Sequence, residues 1–259
     1  MDDNSKRMIE LKRFYEDKSE YMTDVVVREI SMELFVNKRR LLSFSALPEY
    51  LEELALGFLF SEAIIHVESE ILQIDCFNSD YQIHVSANIP QQRISHFLQN
   101  REKTSGCSAG FSTFLSGRRE KFTELTVERE VILNAMSELQ QKSDLFRETG
   151  GVHSAALLSE GRLKCIMNDI GRHNAIDKVA GFFLKQQKTL SECALLTTGR
   201  VSSEIVKKAV RLGIQLLISH AAPTSEAIRL AWEHKLYLIG FARTRRFNLY
   251  TGFNQINIK

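Results

Sequence analysis

Little in this sequence marks it for a membrane, for export or for a metal. No stretch reaches the ~18 uninterrupted apolar residues of a bilayer span. The best candidate, YLEELALGFLFSEAII, is broken by Glu52, Glu53 and Glu62. The N-terminus, MDDNSKRMIELKRFYEDKSEYM, is densely charged and holds no apolar signal-peptide core. Together these features predict a cytoplasmic protein with no membrane association. An excess of charge of one sign is missing as well. The formal net charge of +2 is too small to argue for nucleic acid, so any electrostatic case rests on local clusters. Paired cysteines are also absent. Cys76, Cys107, Cys165 and Cys193 are widely spaced with no CxxC, which argues against a disulfide framework and against a structural metal. There is no internal repeat and no low-complexity segment.

What is present is the composition of an ordinary globular chain, with 44% hydrophobic and 25% charged residues. Its 259 residues suffice for one large domain or two small ones. Residues 1–20 read as a charged tail or a peripheral helix. Residues 21–125 read as a smaller, strand-rich N-terminal subdomain. DVVVREISMELFVNKRRLLSFSA alternates through two runs broken near NKRR, the pattern of a hairpin. Pro48 then opens an amphipathic helix with Leu51, Leu54, Ala55, Phe58 and Leu59 at helical spacing. ILQIDCFN and YQIHVSANI are strands, and QQRISHFLQNR is a short helix. VEREVILNAMSELQQKSDLFRETGG reads as one helix stopped by Gly150 and Gly151.

Residues 126–259 form the α/β subdomain expected to bind a ligand. AALLSEGRLKCIMND is a strand pair, followed by strands CALLTTG, IQLLISH and LYLIGFA separated by helices. This alternation predicts a layered mixed sheet with helices on both faces. Ligands gather at the carboxyl ends of strands in such sheets. Here those ends carry NDIGRHN, TTGRVSS, SHAAPTS and FARTRRFN. The first three run into a helix N-terminus, where free N–H groups and the helix dipole favour an anion. The fourth adds Arg243, Arg245 and Arg246. One such turn reads equally well as a helix capped by Asp169 or Asn174, with Arg172 and His173 merely solvated. Four turns on one rim point to a phosphorylated or nucleotide-like ligand. His153, just after a double glycine, invites comparison with zinc deaminases, whose signature is H-x-E followed by P-C-x-x-C. Position 155 is alanine and the cysteine pair is missing, so zinc hydrolysis has no support.

Cys165 and Cys193 lie in apolar runs, as does Cys76, and all three read as buried and inert. Cys107, in TSGCSAG, stands apart. It lies between two glycines, with Arg101 and Lys103 before it and Arg118 and Arg119 after it. Positive neighbours raise the population of the reactive thiolate, and a loop of small residues from about 101 to 118 is expected to be mobile. No histidine is near in sequence to serve as a base. Carrying sulfur as a persulfide needs only an accessible thiolate, so the local chemistry suits a sulfur relay better than a cysteine protease.

LEELALGFLFSEAII, TGGVHSAAL, NDIGRHNAIDKVAG, TTGRVSSEIVKKA, APTSEAIRLA and GFARTRRFNLYTG, in this order, resemble the formate dehydrogenase accessory sulfurtransferase family, FdhD. The resemblance implies a cytidine-deaminase-like fold without zinc chemistry. It implies a sulfurtransferase that takes sulfur from a cysteine desulfurase and passes it to the bis-molybdopterin guanine dinucleotide cofactor of formate dehydrogenase. Cys107 matches the first cysteine of the family's C-x-x-C loop, while Gly110 occupies the second. That departure keeps open a cofactor-binding chaperone in which Cys107 is incidental. Phe241, Ala242, Arg243, Thr244, Arg245 and Arg246 match the segment used at the guanine-dinucleotide site. His153, Asp169, Arg172, His173, Asn174, Gly199 and Arg200 complete the expected cofactor contacts, with GDP as a mimic. Two-fold self-association fits the family, although no stretch of sequence marks an interface.

Overall fold

The computed structural model describes residues 5–77, 79–103, 121–186 and 193–259. The chain starts with a β-ribbon, β1 (Lys6–Phe14) against β2 (Ser19–Val27), where a charged tail or peripheral helix was expected. β1 is largely exposed and β2 has no fully buried residue, so charge does not oppose pairing. Arg13 of β1 and Asp24 of β2, diagonal to each other across the ribbon and 3.7 Å apart, even use it.

Strands β3 (Ile30–Val36) and β4 (Arg39–Ala46) form the expected hairpin. Asn37 and Lys38 both take the left-handed conformation that a two-residue turn requires. Helix α1 (Leu51–Ser61), strands β5 (Ile71–Phe77) and β6 (Gln82–Ala87) and helix α2 (Gln91–Lys103) follow. The four strands make one sheet in the order β4-β3-β6-β5. Its apolar face packs on Leu54, Ala55, Phe58 and Leu59 of α1 and on Ile94 and Phe97 of α2.

Strand β7 (Leu125–Val127) precedes α3 (Arg129–Gln141) and α4 (Asp144–Thr149). The single helix expected here is broken before Ser143, whose buried hydroxyl donates to Asn168 Oδ1 at 2.9 Å. Ser143 is non-helical at φ −86° and ψ 74°, and the bond anchors it against β9 where the two helices meet. Gly150, left-handed at φ 64°, ends the second piece as expected. The remaining elements are β8 (His153–Ser159), β9 (Arg162–Asp169), α5 (Arg172–Leu184), β10 (Ala194–Thr197), α6 (Ser203–Arg211), β11 (Leu216–Ser219), α7 (Ser225–Glu233), β12 (Tyr237–Arg243), β13 (Arg246–Leu249) and β14 (Ile256–Ile258).

Six of these strands form a mixed sheet in the order β13-β12-β11-β10-β8-β9, with β10, β11 and β12 parallel. Alternate residues feed two cores. Ala155, Leu157, Leu195, Leu217 and Leu238 face α5, α6 and α7. Ala156, Leu196, Ile218 and Ile239 face α3 and the small β7–β14 pair. The chain is thus mixed α/β with helices on both faces of its larger sheet.

Helix α1 crosses α5 with glycine on each side. A Cβ on Gly57 would lie 1.8 Å from the Asp177 carbonyl oxygen, and one on Gly181 would lie 2.0 Å from that of Glu53. Only glycine permits such an approach. This contact presses the four-stranded sheet's helix against the larger sheet's helical layer.

Candidate functional site

The parallel strands β10–β12 end on one edge of the larger sheet. Strand β8 is antiparallel to β10 and starts there, and β9 ends there with Asp169 opposite His153. The four segments singled out from sequence therefore share one rim. Thr197 and Ser219, both buried, shape its turns in the same way. Gly199 N donates to Thr197 Oγ1 at 3.1 Å, and Ala221 N donates to Ser219 Oγ at 3.0 Å. Ser219 Oγ then donates to the Gly199 carbonyl at 2.8 Å. Gly199 is needed because Arg172 passes over it: a Cβ there would lie 2.7 Å from Arg172 Cβ. The N-termini of α5 and α6 have no side-chain cap, whereas Thr224 caps α7 by accepting from Ala227 N. The first two leave backbone N–H groups available to an anion.

Asp169 has a different place from the one expected. It is fully buried, and its carboxylate receives Leu47 N at 3.2 Å, Gly171 N at 3.0 Å and Asn174 Nδ2 at 2.9 Å, with Lys178 Nζ at 2.6 Å. Every lone-pair direction is taken up by the protein, so Asp169 organises the β9–α5 turn and does not contact a ligand. Asn174 also donates to the Ser45 carbonyl at 2.8 Å, tying the same turn to β4. Ala242 needs a similar correction. Its side chain lies in the core under α3, facing away from the rim.

The other expected residues do gather. His153, Arg172, His173, Gly199, Arg200, Phe241 and Arg243 lie on the rim, and Thr244, Arg245 and Arg246 form its exposed hairpin tip. Among the described residues, Arg172, Arg200, Arg243, Arg245 and Arg246 have no acidic partner, and the buried Arg172 Nε has no hydrogen-bond acceptor. The histidines report this excess of positive charge. Burial, then Arg172 and Arg200, lower the His153 pKa; burial, then Arg243, lower that of His220. Phe241 is left-handed at φ 52°, and Arg243 lies over its ring at 5.5 Å. A non-glycine residue held there is strained. His220 was not singled out from sequence; its position directly after a strand end was the available signal.

Next to the rim, the buried Asp177 binds Lys208 Nζ through both oxygens at 2.9 Å and accepts from Ser61 Oγ at 2.8 Å. Glu62 lies 3.4 Å from the same ammonium, and burial pushes its carboxyl up. His173 Nε2 is 3.0 Å from Glu204 Oε2 but poorly aligned for a hydrogen bond. Burial, then Lys208 and Arg172, bring its pKa down to about 4, so the ring is neutral near pH 7.

Of the cysteines, Cys193 is buried, and burial pushes the Cys76 and Cys165 thiols up to about 12. Cys107 lies outside the described residues, as does most of the loop expected to be mobile; α2 runs as far as Lys103. Among the described residues no cluster of His, Cys, Asp or Glu could hold a metal, and no helix is long and apolar enough to cross a membrane.

Fold and rim together define a mixed α/β protein with an arginine-rich edge on its larger sheet. The FdhD/NarQ family model matches residues 27–257, and the chain belongs to that family. It is 35% identical to the sulfur carrier protein FdhD of Wolinella succinogenes over 91% of this chain and 84% of that one. It is 34% identical to the protein of the same name from Listeria innocua, over 95% and 97%. A crystal structure of a candidate formate dehydrogenase accessory protein from Desulfotalea psychrophila matches with a TM-score of 0.79. The two are 28% identical, with 97% of this chain and 99% of that one covered.

Proposed function

We propose that the chain is a sulfur carrier for formate dehydrogenase maturation, working in the cytoplasm between a cysteine desulfurase and a cofactor-bound acceptor. The Cys107 thiolate attacks the terminal sulfur of the desulfurase persulfide, the desulfurase cysteine leaves as a thiolate, and Cys107 keeps the sulfane sulfur. The acceptor is the bis-molybdopterin guanine dinucleotide cofactor, a substrate of this protein, with its phosphates on the rim. The arginines without acidic partners, the lowered histidines and the uncapped α5 and α6 termini suit phosphate oxygens. The fold reads as cytidine-deaminase-like, with the buried Ala155 where a deaminase would hold its proton-shuttling glutamate.

One observation carries the reading. The relatives are named sulfur carriers, and three of this chain's four cysteines are unsuited to the task. Cys76 and Cys165 have thiols pushed up to about 12, and Cys193 is buried. A sulfur carrier needs a thiolate, which leaves Cys107. Mass spectrometry after incubation with a cysteine desulfurase and cysteine tests this. The wild type should gain one sulfur and Cys107→Ser none. A gain that survives Cys107→Ser sinks the assignment. Nucleotide binding without any sulfur gain would instead favour a chaperone, the reading that Gly110 in place of a second loop cysteine keeps open.

A further inference from the structure

The β1–β2 ribbon precedes the span shared with the family, residues 27–257, and one of its edges is unused. Strand β2 packs on α4, so β1 is the outer strand, and β1 pairs with β2 alone. The bonds at the two ends of the ribbon fix which backbone groups of β1 point outwards. Tyr15 N donates to the Lys18 carbonyl at 2.8 Å at the turn, and Arg28 N donates to the Ser5 carbonyl at 2.7 Å at the base. Both bonds fall on odd-numbered residues flanking β1, and every second residue of an antiparallel strand bonds to the same side. The N–H and C=O groups of Met8, Glu10, Lys12 and Phe14 therefore point away from β2. Among the described residues they have no partner.

A row of unpaired backbone groups is a template for another strand, and the side chains of β1 single out that strand. Two copies of β1 related by a two-fold axis must set outward residue against outward residue, which puts the axis on a residue. With the axis at Ile9, Lys6 faces Lys12; at Glu10 or at Lys12, that residue faces its own copy. These registers oppose like charges, which destabilises a pair. With the axis at Leu11, Glu10 faces Lys12 and Met8 faces Phe14, each twice by symmetry. The groups brought together are the ones left unsatisfied in the single chain. Lys12 lies over the rings of Phe14 and Tyr21 at 5.3 Å, and neither it nor Glu10 has an ion-pair partner among the described residues. Met8 and Phe14 are 73% and 74% exposed.

We propose that β1 pairs edge to edge with β1 of a second copy of this chain, antiparallel about a two-fold axis at Leu11. The two ribbons then form one four-stranded sheet, with a Glu10–Lys12 pair and a Met8–Phe14 contact on each side of the axis.

Sedimentation velocity on the full chain, from about 1 to about 200 µM as a small interface requires, tests this. The wild type should pass from monomer to dimer. Glu10→Lys and Lys12→Glu should each raise the dimer dissociation constant about fivefold or more, because each turns two attractive pairs into repulsive ones. The double variant Glu10→Lys/Lys12→Glu restores opposite charges and should return to within about twofold of the wild type. Met8→Pro removes an outward N–H, leaves every bond to β2 in place and should abolish the dimer. A chain that stays monomeric throughout overturns the proposal and leaves the edge to an unlike partner. A dimer indifferent to the single charge reversals and to Met8→Pro overturns it as well, since the contact would lie elsewhere on the molecule. Single reversals that weaken the dimer without rescue in the double variant overturn the register, and the proposal with it.

Discussion

Asp169→Asn isolates the most concentrated interaction at the rim. Asp169 and Lys178 are both 0% exposed and 2.6 Å apart, and the same carboxylate holds Leu47 N, Gly171 N and Asn174 Nδ2. Asparagine is nearly isosteric but neutral, and it offers one acceptor where the native residue offers two. Lys178 would keep its charge in the core with the Asn168 carbonyl, 3.3 Å away, as its remaining partner. Breaking a buried pair in this way costs about 3–5 kcal/mol, a large share of a typical native stability of about 5–15 kcal/mol. Urea unfolding followed by circular dichroism at pH 7.5 reads the cost directly. Adding Lys178→Met removes the stranded ammonium, so the double variant should recover about 2 kcal/mol or more relative to Asp169→Asn alone. A third readout comes from pH. Burial already lowers the Lys178 pKa against the pull of Asp169. With that pull gone, the amine loses its proton more easily and the penalty should shrink as pH rises. A cost below about 1 kcal/mol, or a double variant that is the plain sum of the singles, would refute the account of Asp169 as the brace of the β9–α5 turn.

Replacing both Arg245 and Arg246 with alanine at the exposed hairpin tip should weaken GDP by about 1.5–3 kcal/mol for each phosphate hydrogen bond removed, the scale of charge-assisted hydrogen bonds; equal affinities in calorimetry would move the phosphates elsewhere on the rim. The folded-state pKa values of His153, His173 and His220 lie below the ordinary 6.5, so the unfolded chain binds protons first as pH falls. Their contribution should be complete above about pH 6.5 and lost below it, through about 4 for His173, and His173→Gln should flatten this part of a melting-temperature profile. In native Cys107→Ser, iodoacetamide at pH 8 should leave Cys76 and Cys165 almost unlabelled until urea is added, because thiols pushed up to about 12 hold almost no thiolate there.

The regular half of the fold was legible because each strand and helix carries its own pattern. The apolar runs of β8 to β12 alternate with amphipathic helices, and strand ends on one edge follow from that order alone. The rim was legible for the same reason, down to Arg172, His173, Gly199, Arg200 and Arg243. What escaped depended on partners distant in sequence. Asp169 looked like a cap or a ligand contact until Leu47 and Lys178 closed around it. The break between α3 and α4 falls where Ser143 is anchored to Asn168 of β9, a partner that no local pattern announces. The β1–β2 ribbon escaped because neither of its faces is buried enough to imprint a strict alternation. The cavity lined by Phe44, Phe58, Phe97, Glu62 and Lys208 escaped because its walls come from β4, α1, α2, α5 and α6, which only the tertiary fold assembles.

The glycine crossing of α1 and α5 governs how the molecule comes apart. Backbone meets backbone there, at Gly57 on the Asp177 carbonyl and Gly181 on the Glu53 carbonyl, with no side chain to rotate and no looser packing to fall back on. A joint filled by leucines could slide by a rotamer and let one half loosen while the other held. This one is either seated or lost, and losing it uncovers both the core under the four-stranded sheet and the one above the larger sheet. The two sheets should therefore melt as one cooperative unit, and the slowest-exchanging amides of α1 and α5 should report a single opening free energy common to both helices.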